Sequence, residues 1–252
     1  MTTLALHVGA TLNRPPRAGY FAELPFVELA FRNPLPRVGR LREWRETVPA
    51  SARIALVIPR AVVNQPRGAL RFDDTSSLDW LLAAQEATRA DTFVLESHAE
   101  LTPSARDQEM LKKFASRITR GGTKLVWEAG GVWELESASA LAQQHGWTVA
   151  WDPTGDHLAP PGGVYVRVHA LGARSRLSEG LLATIADGVL AAAVETGGAT
   201  IAIDGEQGFR KAKSMVAILS GEIVDEGGMG APRRSASDDE EDLDDEDDDS
   251  DE

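Results

Sequence analysis

Glu28, Glu96, Glu128, Asp152, Arg167, His169 and Asp204 are the side chains here best suited to chemistry, and each sits in or ends a short apolar run. Carboxylates exchange protons or ligate hard cations, an imidazole relays protons or binds metal, and a guanidinium grips phosphate or carboxylate through two parallel hydrogen bonds. Three chemistries fit the set. Glu128, Asp152, His169 and Asp204, with Glu28 in reserve, offer the oxygen and nitrogen donors that suit magnesium, manganese or zinc. No fixed-spacing metal motif accompanies them. Carboxylates on neighbouring elements serve instead as a general acid and base. Arg167 either fixes a small anionic ligand or neutralises Glu128 or Asp204 internally. The chain has no cysteine, which removes thiolate nucleophiles, disulfides and Cys-ligated zinc. It also lacks a Gly-x-Ser-x-Gly elbow and a Gly-rich phosphate loop.

The elements that must position these residues are eight apolar runs: Leu4–Gly9, Phe26–Ala30, Arg53–Pro59, Thr92–Ser97, Lys124–Glu128, Trp147–Asp152, Val164–His169 and Thr200–Asp204. Most are separated by sequence with helical periodicity, as in the face Met110, Leu111, Phe114 and Ile118 that follows Thr102-Pro103, read as an N-cap and first helical residue. Strand alternating with helix, eight times over, predicts an α/β fold: a single (β/α)8 TIM-type barrel over residues 1–224. Residues 10–24 and 153–162 are too rich in proline or too short for a proper crossover helix, so the barrel should be somewhat irregular.

Side chains alternate across a strand, so one parity faces the helices and the other the barrel interior. Val27 and Leu29, Ile54 and Leu56, Phe93 and Leu95, Leu125 and Trp127, Val166 and Val168, and Ile201 and Ile203 belong under the helices. The opposite parity carries Glu28, Glu96, Glu128, Asp152, Arg167 and Asp204, with His98 and His169 close by; strand 1 is ambiguous, and His7 is a further candidate. A barrel of this type keeps its chemistry at the C-terminal ends of its strands. These groups should therefore meet at one mouth, as a site or as an internal salt-bridge network.

Of the 39 acidic residues, 13 fall in Asp238–Glu252, and the remaining 26 balance the 26 Lys and Arg. The tail thus carries the whole net charge of −13 and cannot bury a core, so it is expected to be disordered beyond a Gly/Pro/Ser linker at 225–237. A neutral body lacks the global basic bias of a non-specific nucleic-acid binder, leaving only a local patch for that role. No apolar stretch is long enough for a membrane span and no secretion signal opens the chain, so the expected location is cytoplasmic.

Several segments carry a family resemblance. Tyr-Val-Arg-Val-His at 165–169 follows the pattern Tyr-Val-Arg-Leu-His-Gly, Glu28 with Phe31 fits a second-strand Glu followed by aromatics, and Glu128 with Trp133 and Asp152-Pro153 fit two further segments. From about Gly9 to Leu219 the chain resembles the YecE-like family (domain of unknown function 72) as a divergent member. It departs at Glu96, where Gln is usual, at Asp204, where Asn is usual, and after Glu128, where Ala129-Gly130-Gly131 replaces an Arg-His. The resemblance implies a barrel with a polar C-terminal mouth and no established activity.

Two functional classes follow. One is a small-molecule or metal-assisted, hydrolase-like site built from Glu28, Glu128, Asp152, Arg167, His169 and Asp204, with a divalent metal as the candidate cofactor. The other is a non-catalytic binding module whose acidic tail engages a basic protein partner.

Overall fold

The structure, a computed structural model, describes residues 4–63, 75–97, 99–154, 158–169 and 177–221. Eight parallel strands close into a barrel in sequence order: β1 (Ala5–Leu12), β2 (Phe26–Leu29), β3 (Arg53–Val57), β4 (Thr92–Glu96), β5 (Lys124–Glu128), β6 (Thr148–Trp151), β7 (Val164–His169) and β8 (Gly198–Asp204). Around them lie α1 (Val38–Glu46), α2 (Arg60–Val63), α3 (Thr75–Thr88), α4 (Ala105–Ile118), α5 (Leu135–Gln144), α6 (Glu179–Thr196) and α7 (Gly208–Leu219). The expected (β/α)8 barrel is the observed one. None of these helices is long and apolar enough to cross a membrane. The expectations for the linker at 225–237, the tail at 238–252, His98, and Asp156 with His157 fall outside the described residues.

Strand parity divides the core as alternation requires. Val27, Leu29, Ile54, Leu56, Phe93, Leu95, Leu125, Trp127, Val166, Val168, Ile201 and Ile203 join the layer between barrel and helices. Phe26, Ala55, Val57, Val94, Val126, Tyr165 and Ala202 fill the interior. β1 runs three residues further than expected, pairing Thr11 with Glu28, and Val8 and Ala10 join the outer layer. His7 and Thr11 therefore share the inward parity but lie at opposite ends of the strand. Inside, β1 approaches β2 so closely at Gly9 that a Cβ would collide with the Phe26 carbonyl.

Both thin crossovers are short of helix. Between β1 and β2 there is only a 3-10 turn, Ala18–Ala22. Tyr20 replaces the missing helix as a tie: its hydroxyl accepts from Ala10 N and donates to Phe26 O, both at 2.8 Å. Trp44 of α1 pins the same loop by donating to Pro16 O at 2.7 Å. Between β6 and β7 no helix forms among the described residues, and Gly188 of α6 lies against the Trp151 ring.

Side-chain capping is seen at α4 and α6, with one correction to the expected cap. α4 is capped by Ser104, whose hydroxyl accepts from Asp107 N, and not by Thr102. Asp107 reaches back to accept from Thr102 N at 3.0 Å and from its hydroxyl at 2.6 Å, so Thr102-Pro103 forms the lead-in to the helix. α6 stops at Gly197, whose φ of 82° is the left-handed conformation that glycine adopts without steric cost.

Candidate active site at the barrel mouth

The inward parity delivers a connected charge network rather than separate ionised groups. At its base lies Glu28, completely buried on β2. Thr11 Oγ1 and Tyr165 Oη each donate to its carboxylate at 2.8 Å, and Arg167 donates from Nε at 3.1 Å and Nη2 at 2.8 Å. The guanidinium continues upward to Glu96 Oε1 at 2.9 Å and to Glu128 Oε2. Glu128 Oε1 lies 2.8 Å from His169 Nε2, and the other imidazole nitrogen faces Asp204 Oδ2 at 3.8 Å. Register explains the order: Glu96 pairs with Glu128 across β4–β5, and His169 with Asp204 across β7–β8.

Burying a guanidinium is tolerable only where carboxylates meet it with good geometry. Burial alone would lower the pKa of Arg167, but Glu28 and Glu96 outweigh that and raise it, so the side chain stays cationic. Burial first, and then the Glu28 charge, push the Tyr165 phenol well up, which keeps it the donor to Glu28. The imidazole facing Asp204, aided by the Gly205 N–H, holds that carboxyl below its usual range.

Above this network opens a cleft of about 1230 Å³. Glu96, Glu128, His169 and Asp204 line its floor, with side chains 26–39% exposed. Ser97 steadies the β4–β5 side, donating to Glu128 O and accepting from Gly130 N. Phe31, Ile58, Pro59 and Val63 wall the opposite side, and Arg32 and Arg60 stand at its rim.

Of the six expected site residues, Glu28, Glu128, Arg167, His169 and Asp204 come together, but their roles divide. Glu28 is sealed from the cleft and Arg167 is only 3% exposed, so both position other groups. Arg167 is not an anion clamp, because its donors are already engaged by Glu28, Glu96 and Glu128. Asp152 takes no place among the cleft-lining residues; its Oδ1 accepts from Thr154 N at 3.0 Å and Thr154 Oγ1 at 2.6 Å, an Asx-turn closing its own loop. His7 lies at the other end of the barrel, where burial first and then Arg53 and Lys124 lower its pKa, so it does not join the mouth.

The expected metal set of Glu128, Asp152, His169 and Asp204 does not fit a cation in this arrangement. Asp152 is turned to Thr154, both Glu128 oxygens are occupied by Arg167 and His169, and among the described residues no three His, Asp or Glu form a metal-holding group. The guanidinium already occupies the position between Glu28, Glu96 and Glu128 that a cation would take. Thr11 is absent from the residues expected at the site, and Tyr165 and Glu96 carry no expected role there. Inward parity already places Glu96 at the mouth and was the signal for Tyr165, whereas Thr11 lies beyond the expected end of the first strand.

The comparisons agree with this architecture. No protein-family model and no curated protein matches the chain. Among solved structures, a DUF72 family protein from Enterococcus faecalis V583 superposes with a TM-score of 0.70 at 15% identity, covering 87% of this chain and 99% of that one. A DUF72 family protein from Thermotoga maritima MSB8 gives 0.61 at 16% identity, covering 86% and 99%. An L-ribulose 3-epimerase gives 0.55 at 13% identity, covering 86% and 95%. The resemblance is thus borne out at the level of the fold: the chain is a (β/α)8 barrel similar to those of DUF72 family proteins.

Proposed function

We propose that the mouth is a small-molecule catalytic site in which His169 moves a proton to or from bound substrate. The carrying observation is that a partly exposed imidazole stands between two carboxylates, Glu128 and Asp204, on the cleft floor. Carboxylate partners fix the ring's orientation, so that one imidazole nitrogen is held ready for proton transfer as a general acid–base. Arg167 holds Glu128 from behind, so the relay cannot swing away as the proton moves. Glu96, at the same level and partly open to the cleft, suits a substrate hydroxyl.

Such a relay serves hydrolysis and the proton transfers of sugar isomers alike. The polar floor and the fold shared with a sugar epimerase favour a polyhydroxylated substrate. The test uses D2O and a set of aldoses and ketoses, free and phosphorylated, following deuterium entry into carbon-bound positions by NMR, with activated phosphate esters run beside them for hydrolysis. Turnover with at least one substrate is expected, falling about 10²–10⁴-fold in His169→Gln and Glu128→Gln. Rates unaffected by either substitution would sink the reading.

The second reading has its own observation: the 13 acids of Asp238–Glu252 have no counterpart in the neutral body. On that reading the barrel is a non-catalytic module and the tail captures a basic protein.

A further inference from the structure

The mouth is electrically lopsided. Its floor presents Glu96, Glu128 and Asp204, and the one guanidinium there among the described residues, Arg167, is buried and bonded to carboxylates. An anionic group seated there would face three carboxylates within a few ångströms, a repulsion strengthened by the low dielectric of a cleft. The opposite rim reverses the sign. Arg32, just past β2, and Arg60, opening α2, both line the cleft, and neither is ion-paired among the described residues. Asn13 and Asn33 line the cleft beside them and add amide donors. Phe31, Ile58 and Val63 also line the cleft and bring no competing charge.

We propose that this rim is an anion subsite, in which Arg32 and Arg60 hold the phosphate of a phosphorylated small molecule. The inference rests on the reading of the mouth as a small-molecule site and names that ligand's class. Two guanidiniums and two amides match the several oxygens of a phosphate monoester better than a lone carboxylate would. The cleft is large enough to hold such a molecule with its phosphate at the rim and its hydroxylated end over His169. Remote binding of this kind orients the reacting end without placing charge on the acidic floor.

The test titrates the full chain with D-ribose 5-phosphate, D-ribose and inorganic phosphate by calorimetry, in wild type, the Arg32→Gln/Arg60→Gln double variant and His169→Gln. Saturable binding of the phosphorylated sugar and of phosphate is expected in wild type, with free ribose at least about tenfold weaker, equivalent to ~1.4 kcal/mol. The double variant should lose that preference while its thermal midpoint stays put, since both side chains are exposed. His169→Gln should bind phosphate within about twofold of wild type. Absence of phosphate binding in wild type, its persistence in the double variant, or its loss in His169→Gln alone would overturn the subsite. Intact phosphate binding alongside proton transfer that ignores His169 would instead retire the acid–base reading and leave the subsite standing.

Discussion

Arg167 decides what the mouth can do. It spends its donors on Glu28, Glu96 and Glu128, and is buried because those three carboxylates make burial tolerable. Removing the guanidinium strands Glu28, which is wholly enclosed and would keep only Thr11 and Tyr165 as partners. Leaving one partner of a buried pair uncompensated costs about 3–5 kcal/mol. Arg167→Met is therefore expected to lower stability by that amount in urea unfolding. Glu28→Gln in the same chain should give back part of the loss, so that the double variant is less damaged than the two single effects combined by about 0.5–3 kcal/mol. Strictly additive losses would mean that the pair is not coupled and that the network described here is wrong at its base.

Elements explain which parts of this site were legible from the amino-acid sequence. Wherever a strand carried bulky residues on one parity only, as with Ile54 and Leu56 or Val166 and Val168, facing was readable and Arg167 and Glu128 followed from it. β1 obeys the same rule, Leu4, Leu6 and Val8 alternating with Ala5, His7 and Gly9, but its end at Leu12 was hidden, and that end leaves His7 far from the mouth. Its extent is set by pairing with β2 and β8, which alternation within one strand cannot reveal. Asp152 misled for a different reason: parity places a residue on the barrel's inner side, but a neighbouring Thr154 can turn its carboxylate into a loop bond. The start of α4 shows the same limit, since Thr102 and Ser104 are both good capping residues two positions apart. Ser104→Ala should cost about 1 kcal/mol in thermal or urea unfolding, the usual loss of a side-chain cap. A neutral result would return the cap to Thr102.

At the scale of the whole molecule, charge is segregated to a degree the barrel does not need. Residues 1–237 balance 26 acids against 26 bases, while Asp238–Glu252 adds thirteen acids and no base. A body with no net charge has little electrostatic repulsion between copies near neutral pH, and proteins in that condition tend to associate. A polyanionic tail corrects this without touching the fold, but it also creates a field attractive to basic surfaces within a screening length of about 10 Å at 0.1 M salt. The two roles separate on deletion of residues 225–252. If the tail serves solubility alone, the truncated chain keeps its thermal midpoint and its turnover but precipitates at lower concentration. If the tail is the working part, the truncated chain also loses retention of a basic protein such as a histone at low salt. His169→Gln, with the tail in place, would still retain it. Turnover that survives truncation and vanishes in His169→Gln assigns the function to the mouth; retention that follows the tail, in a barrel without turnover, assigns it to the binding module.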